Sequence, residues 1–242
     1  MKITALLTGR GNNTLRDKNI LPVLGKPLLY YPGMAAKTSK YVNSLYISSD
    51  DEKILDAANE IGYLKIKRPD VLARPDSQHI DVILHALDFI NKQDGFRPDI
   101  MVVLLANSGI VKTEWINDCI AEIINNPEIS AIVPVYEEQD HHPFRAKKLD
   151  TDGFLETFFD FGGKKISSNR QDLPTCYFLC HNFWVLNISK SIDLLPEGQQ
   201  PWPFMGKTIK PYIIEMSFDV HTEEDIVKTE NWLLQEKINY TE

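Results

Sequence analysis

The sequence alternates short apolar runs with amphipathic segments of helical period as far as about residue 135, and this alternation constrains the fold more than any other feature. The apolar runs that predict strands are ITALLTG, SLYISSD, YLKIKRP, DIMVVLLAN and ISAIVPV. The segments that predict helices are DDEKILDAANEIG, SQHIDVILHALDFINKQ and KTEWINDCIAEIINN. Strands that alternate with helices build a parallel sheet covered on both faces. The pattern therefore predicts a three-layer α/β fold with a mainly parallel, Rossmann-like sheet.

After about Glu137 the pattern changes to one typical of antiparallel strands. HHPFRAKKLDTDGFLETFF predicts a hairpin about an Asp-Gly turn, and TCYFLCHNFWVLN predicts one long aromatic strand. KPYIIEMSFDV predicts a further strand, and the last segment predicts a closing helix with Thr222 as its N-cap. We therefore expect one domain over residues 1–242 that carries a β-rich insertion at about residues 138–182.

Charge and cysteine content exclude several classes of protein. The net charge of −8 argues against nucleic acid as a partner and against an anionic membrane surface. No apolar run approaches the roughly 20 residues of a membrane helix, and the first residues lack the pattern of a signal peptide. The odd count of 3 cysteines does not form a disulfide framework. We expect a cytoplasmic protein.

The segment TGRGNNTLRDKN follows the first predicted strand, where ligands of open parallel sheets bind. Gly9 and Gly11 predict positive φ angles and a close approach of the backbone to a ligand, while Arg10, Arg16 and Lys18 supply charge for phosphates. The segment is neither a Walker A loop nor a G-x-G-x-x-G loop. A solvated surface turn would show the same local features, so the loop alone leaves both interpretations open.

Six stretches in this order along the chain resemble the acylneuraminate cytidylyltransferase family and its relatives that activate KDO. They are the Arg10-Gly11 loop with Lys18-Asn19-Ile20, then GKPL, ISSDDEKI, KRPDVLARPDS, HPFRAKKLDTDGFL with NRQDLP, and FDVHTEEDI. The resemblance implies a fold of the nucleotide-diphospho-sugar transferase type. It also implies a cytidylyltransferase that joins CTP to the anomeric hydroxyl of a 2-keto sugar acid and releases pyrophosphate.

The resemblance also implies roles for individual residues, with Mg²⁺ as cofactor and Mn²⁺ as a second possibility. The resemblance assigns catalysis to Arg10, Lys18 and Asp219, and metal binding to Asp219 and His221. It assigns nucleotide binding to Arg10, Gly11, Asn12, Asn13, Lys18, Asn19, Arg68, Asp76 and Ser77. It assigns binding of the sugar acid to Asn107, Ser108, Arg170 and Gln171. In the family the arginine matching Arg170 comes from the partner subunit, which implies a homodimer built through the insertion.

Several residues depart from the family pattern, mostly on the sugar side. His221 stands where the family has a second aspartate, and Ala106 stands where it has a glutamine near the sugar. The loop after the first strand is one residue shorter than usual, and Arg16 is a candidate for the missing charge. These changes predict an acceptor other than ordinary N-acetylneuraminate. A KDO-like sugar, a phosphonate, or a nucleotide-binding homologue with impaired catalysis remain alternatives.

Overall fold

A computed structural model describes residues 1–11 and 14–240 of the chain. It has twelve strands: β1 Ile3–Thr8, β2 Pro22–Val23, β3 Lys26–Pro27, β4 Ser44–Ser49, β5 Leu64–Lys67, β6 Ile100–Leu105, β7 Ala131–Glu137, β8 Lys147–Leu149, β9 Leu155–Thr157, β10 Tyr177–Leu179, β11 Phe183–Asn187 and β12 Ile209–Ile213. The five α-helices are α1 Tyr30–Lys37, α2 Glu52–Glu60, α3 His79–Asp94, α4 Thr113–Asn125 and α5 Glu223–Gln235. Among these described residues, no helix combines the length and apolar character that crossing a membrane requires.

Eight of the strands form one mixed sheet. Strands β5, β4, β1 and β6 are parallel neighbours in that order. Next to β6 lies β11, which is antiparallel to both β6 and β7, and β12 closes the far edge parallel to β7. The chain therefore winds away from β1 through β4 and β5, then crosses to the opposite side of β1 to form β6.

Helices cover both faces of this sheet because the side chains of each central strand alternate between two apolar cores. In β6, Val102 and Leu104 belong to the core beneath α1, α2, α4 and α5. Met101 and Val103 belong to the core beneath α3 and the segment that contains Phe204. Such a strand buries both faces, which is why its sequence is a continuous apolar run. The three-layer arrangement confirms the predicted fold class.

The long aromatic strand predicted from TCYFLCHNFWVLN is wrong as one continuous element. It is divided into β10 and β11 at residues 180–182, and the register against β7 shifts from Leu179 opposite Val135 to Val185 opposite Ile132. The Asn182 side chain turns inward there and donates a hydrogen bond to the Ile110 carbonyl at 3.0 Å. A buried polar side chain that needs this partner interrupts the ladder.

The strand predicted from KPYIIEMSFDV also differs, because β12 ends at Ile213. Residues 214–222 then cross the sheet edge as an irregular strap, and the backbone N–H of Val220 donates to the Asn107 carbonyl at 2.8 Å. Asp219 therefore lies on this strap, six residues after the end of β12, and not at the end of a core strand. The closing helix α5 follows with Thr222 at its N-cap, as predicted.

The predicted insertion contains the short antiparallel hairpin of β8 and β9, which pair outside the main sheet. Its turn uses Gly153 at φ +86°, a conformation that favours glycine. Large apolar side chains of this hairpin are mostly exposed: Leu149 is 66%, Phe154 71% and Leu155 72% exposed. The last residues of the predicted range, Tyr177–Leu179, instead pair with β7 in the main sheet.

Candidate functional site

A cavity of about 330 Å³ opens at the carboxyl ends of β1 and β6. It lies where the chain reverses its winding about β1, the position at which open α/β sheets bind ligands. The residues that line it are Thr8, Gly9, Arg10, Lys18, Asn19, Arg68, Leu72, Arg74, Pro75, Ser77, His79, Val82, Leu105 and Asn107. Four of these are cationic, and none of these lining residues is acidic. The cavity is therefore suited to a polyanion.

The two glycines of the loop after β1 serve by their size and not by their backbone conformation. Neither Gly9 nor Gly11 has a positive φ, so the prediction on this point is wrong. A Cβ atom at Gly9 would lie 3.0 Å from Ala106 Cβ, and one at Gly11 would lie 2.7 Å from an Asp51 carboxylate oxygen. The loop packs so tightly on its neighbours that a side chain at either position would displace them. The N–H of Gly11 donates to Asp50 Oδ1 at 3.1 Å.

Arg10 is held in the loop from two directions. The buried Asn19 side chain donates to the Arg10 carbonyl at 3.0 Å, and Arg10 Nη1 donates to the Arg74 carbonyl at 3.2 Å. The first contact fixes the backbone of the loop, and the second ties the guanidinium to the far wall of the cavity. Asn19, predicted to bind the nucleotide, thus lines the cavity, and it also supports the backbone of Arg10.

Lys18 lies at the other end of the same loop, in a short 3₁₀ turn from Lys18 to Ile20. Its ammonium donates to the Val220 carbonyl at 3.1 Å and so joins the loop to the strap. Burial lowers the pKa of Lys18, Asp219 opposes that shift, and Arg10 adds to it. An ammonium that has lost part of its water is a stronger partner for a phosphate than a fully hydrated one.

Arg68 is the most deeply buried cation of the site, at 5% exposure. Its Nε donates to Ser48 Oγ at 3.2 Å, and its Nη2 donates to the Ser48 carbonyl at 2.7 Å. Burial lowers its pKa to about 10, Asp50 opposes the shift, and Arg10 adds to it. Arg68 is therefore still a cation at neutral pH. The sequence would also allow Arg68 to form a surface salt bridge with Asp70. Its hydrogen bonds in the described part of the chain go to Ser48 instead.

Asp219, Asn107 and His221 meet at the mouth of the cavity. Asn107 Nδ2 donates to Asp219 Oδ2 at 2.9 Å, and His221 Nε2 lies 2.8 Å from the same oxygen. In the described part of the chain, no group of three His, Cys, Asp or Glu side chains is arranged to hold a metal ion. Mg²⁺ commonly takes one or two carboxylates and completes its shell with phosphates and water. The half-buried Asp219 beside a cationic cavity fits that mode of binding.

Several predicted site residues do not line the cavity. Asp76 is exposed just outside it, and Ser108 is buried with its hydroxyl donating to the Phe218 carbonyl at 3.1 Å. Arg170 and Gln171 lie exposed in the insertion, where Arg170 Nη1 is 2.7 Å from Asp140 Oδ1. Asn12 and Asn13 lie outside the described residues. Ser77, predicted to bind the nucleotide, lines the cavity.

Three polar lining residues were missed by the sequence interpretation: Thr8, Arg74 and His79. Arg74 belongs to KRPDVLARPDS, one of the stretches that resemble the family. Its position in this motif could therefore have identified it as a candidate site residue. Arg16, the candidate for the missing charge, has a side chain that is 92% exposed and lies 3.7 Å from Asp17. The fourth cation of the cavity is thus Arg74 and not Arg16. Ala106 is fully buried and does not line the cavity.

Comparison with known proteins gives one family and a group of distant relatives. The model of the family described as cytidylyltransferase matches residues 10–174. A pseudaminic acid cytidylyltransferase and UDP-2,4-diacetamido-2,4,6-trideoxy-beta-L-altropyranose hydrolase of Helicobacter pylori is 26% identical over 195 residues, which is 79% of this chain and 35% of that protein. An N-acylneuraminate cytidylyltransferase of Streptococcus agalactiae is 24% identical over 232 residues, which is 94% of this chain and 52% of that protein. The chain thus spans only part of the length of these relatives.

Solved structures agree with the fold. A CMP:2-keto-3-deoxy-manno-octonic acid synthetase solved with CTP aligns with a TM-score of 0.70 at 14% identity, over 98% of this chain and 100% of that one. A 4-diphosphocytidyl-2C-methyl-D-erythritol synthase from Anaerococcus prevotii aligns with a TM-score of 0.61 at 15% identity, over 96% of each chain. At these identities the likeness concerns the fold alone.

Proposed function

Because the chain belongs to the cytidylyltransferase family, we propose that it transfers the cytidylyl group of CTP to the anomeric hydroxyl of a 2-keto sugar acid. The hydroxyl oxygen forms a bond to the α-phosphorus and loses its proton. The bond from that phosphorus to the bridging oxygen breaks, and pyrophosphate leaves. The products are a CMP-sugar and pyrophosphate. A cytoplasmic location, where CTP is available, is part of this proposal.

The observation that carries the proposal is the cationic cavity at the sheet's reversal point. Transfers at phosphorus depend chiefly on positioning and on neutralising charge, and they need no protein nucleophile. Arg10 and Lys18 lie on the loop after β1 and are placed to hold the triphosphate and the charge that grows on the leaving pyrophosphate. Arg68, anchored from below by Ser48, is placed to hold the nucleoside end.

The acceptor class rests on the names of the relatives and on the insertion. Pseudaminic acid, N-acylneuraminate and 3-deoxy-manno-octulosonate, which these names contain, are all 2-keto sugar acids. The carboxylate of such an acid suits the fork of an arginine guanidinium. Arg170 is exposed on the insertion and is available to the site of a second copy. The exposed apolar side chains of the hairpin support a homodimer in which the insertion of one copy reaches the other.

Mg²⁺ is the proposed cofactor, with Asp219 as its protein ligand and His221 beside it. When bound, the cation would neutralise phosphate charge and favour departure of pyrophosphate. Asn107 orients the Asp219 carboxylate through its hydrogen bond, and Lys18 holds the strap on which Asp219 lies. The imidazole at His221 is a softer ligand than the family's carboxylate, which favours Mn²⁺ as an alternative.

Two finer questions belong to the same proposal. Because the departures from the family pattern concern mainly the sugar side, we infer an acceptor other than ordinary N-acetylneuraminate. The contact between His221 and Asp219 favours one second candidate, a homologue with impaired catalysis, because the imidazole engages the carboxylate that the metal would use. Efficient turnover of N-acetylneuraminate would count against the first inference.

The test is release of pyrophosphate from CTP with a panel of acceptors: N-acetylneuraminate, pseudaminic acid, KDO and a phosphonate, each with Mg²⁺ or Mn²⁺. We expect release above the level of CTP alone with at least one acidic sugar, and loss of that release in Lys18→Ala. If no acceptor raises release above CTP alone with either metal, the proposed activity is wrong. CTP binding without release under all these conditions would support the impaired homologue instead.

A further inference from the structure

His79 is a polar residue of the cavity to which the proposed chemistry assigns no role. It is the first residue of α3, and its ring lines the cavity beside Arg68. The ring centroid lies 5.1 Å from that of Trp184, so the imidazole is supported on one side by a buried aromatic side chain. Its Nε2 lies 3.3 Å from Thr8 Oγ1.

The hydrogen bonds of Thr8 decide which nitrogen of His79 carries the proton. A threonine hydroxyl has one proton to donate, and that of Thr8 is directed to the Leu104 carbonyl at 3.1 Å. Thr8 Oγ1 is therefore the acceptor in its contact with His79, and Nε2 is the donor. Burial chiefly, together with the nearby Arg68 and His181, lowers the pKa of His79 to about 4. The imidazole is neutral, so its Nδ1 bears no proton and is an acceptor.

Arg68 supplies donors next to that acceptor. Its Nε and Nη2 are engaged by Ser48, while Nη1 has no hydrogen bond to any of the residues the structure describes. The guanidinium carries five N–H groups in one plane, so N–H groups on the edge away from Ser48 are left to donate to a ligand. His79 and Arg68 both line the cavity, so an acceptor nitrogen and donor N–H groups belong to the same part of its wall. Cytosine presents the complementary edge, because its O2 and N3 accept and its exocyclic N4 amino group donates.

We propose that His79 determines the nucleotide specificity of this site, with Nδ1 accepting a hydrogen bond from the exocyclic amino group of cytosine while Arg68 donates to the pyrimidine O2 and N3. This inference rests on the proposed function and deepens it, since it names the group that recognises the base. In uracil the amino group is replaced by a carbonyl oxygen and N3 carries a proton. With UTP, the carbonyl O4 of uracil would face the acceptor Nδ1 of His79, and its N3–H would face the donor N–H groups of Arg68. A partly desolvated site discriminates strongly against such a mismatch, because its polar groups are left unpaired.

The experiment measures the Kd of CTP and of UTP by calorimetry, with Mg²⁺ and no sugar acid, so that no turnover is needed. We expect the unsubstituted protein to bind CTP at least about 10-fold more tightly than UTP, the factor that one mismatched hydrogen bond is worth. His79→Phe keeps a ring against Trp184 but removes both nitrogens. It should weaken CTP by about 10-fold and leave UTP unchanged. His79→Asn places an amide near Nδ1 that can turn to present either oxygen or nitrogen. It should narrow the preference for CTP without abolishing it, because the mismatch of UTP at Arg68 remains.

The matched control is His181→Phe, which changes another imidazole that contacts Trp184 but does not line the cavity. It should keep the preference for CTP, and circular dichroism checks the folding of every variant. If His79→Phe does not fold, His79→Asn carries the test. Equal weakening of CTP and UTP in the folded variants would show that the ring acts only in packing.

Equal affinity of the unsubstituted protein for CTP and UTP would overturn the inference and leave the proposed transfer reaction standing. If the unsubstituted protein binds neither nucleotide and releases no pyrophosphate, the proposed function itself fails and this inference falls with it.

Discussion

The cavity and the insertion are built in opposite ways. Lining residues of the cavity are held by contacts between distant parts of the chain, as when Lys18 meets Val220 and Arg68 meets Ser48. The hairpin of β8 and β9 pairs only with itself and leaves Phe154 and Leu155 more than two-thirds exposed. A site that must place charges accurately is supported by the packed core. A segment whose apolar surface is left open is suited to contact another molecule.

The same contrast runs through the resemblance to the family. The loop after β1 and the stretch around Arg68 both carry motifs that resemble the family, and residues of both line the cavity. His221, which departs from the family pattern, lies on the strap beside Asp219. The cationic wall of the cavity thus carries the family motifs, and this departure lies outside its lining residues.

The largest expected effect is the difference in kcat/KM between substitutions of Arg10 and of Arg16. These two arginines share one loop but differ in burial. Arg10→Ala removes a donor that faces the triphosphate, and kcat/KM should fall by about 100-fold, as it does when a group that stabilises developing charge is removed. Arg16→Ala removes a side chain that is 92% exposed and should change kcat/KM by less than about twofold. Pyrophosphate release measures both. Equal losses in the two variants would contradict the position assigned to Arg74 as the fourth cation.

The insertion is tested by placing charge on its apolar hairpin. The double substitution Phe154→Asp and Leu155→Asp should weaken self-association at least about 10-fold, because each carboxylate would have to be desolvated in an interface. The affinity for CTP should not change, because neither residue lines the cavity. Sedimentation velocity measures association, with Val227→Asp on the exposed face of α5 as the control. A double variant that associates as strongly as the unsubstituted chain would show that the hairpin is not the interface.

The half-buried imidazole of His79 predicts a dependence of stability on pH. The folded pKa of His79 is about 4 and the ordinary value is 6.5, so between these pH values the unfolded chain binds a proton that the folded chain does not. Stability should therefore fall as the pH is lowered from 6.5 towards 4, by at most about 1.4 kcal/mol per pH unit, and this contribution should level off below that range. His79→Phe should remove this slope in urea unfolding followed between pH 7 and 4. An unchanged slope would mean that His79 is protonated in the folded protein.

The smallest expected effect concerns the metal. His221→Asp should lower the Mg²⁺ concentration for half-maximal pyrophosphate release by about several-fold, because a second hard carboxylate would stand beside Asp219. It should also reduce any preference for Mn²⁺. A metal titration of both proteins measures these changes. If the Mg²⁺ requirement stays the same, His221 is outside the metal's reach.

Much of the fold could be predicted from the local pattern of apolar and polar residues. The apolar runs predicted β1, β4, β5, β6 and β7. The runs are continuous in β1 and β6, which are buried on both faces, whereas in β5 only Ile66 is buried. The strand broken at residues 180–182 was not accessible in the same way. Its interruption depends on Asn182 finding a partner at Ile110, 72 positions away in the sequence. Local periodicity contains no information about such a partner.

The sequence by itself determined the layers of this protein, the edge of the sheet at which the cavity opens, and the identity of Arg10, Lys18 and Arg68 among its cations. These follow from periodicity and from the order of motifs, which are properties of neighbouring residues. Only the tertiary structure decided that Arg74 and His79 enter the cavity and that Asp219 meets Asn107. Those contacts join segments brought together by the crossover between β5 and β6 and by the strap after β12. Their geometry depends on how the whole core packs, and no single segment of the chain specifies it.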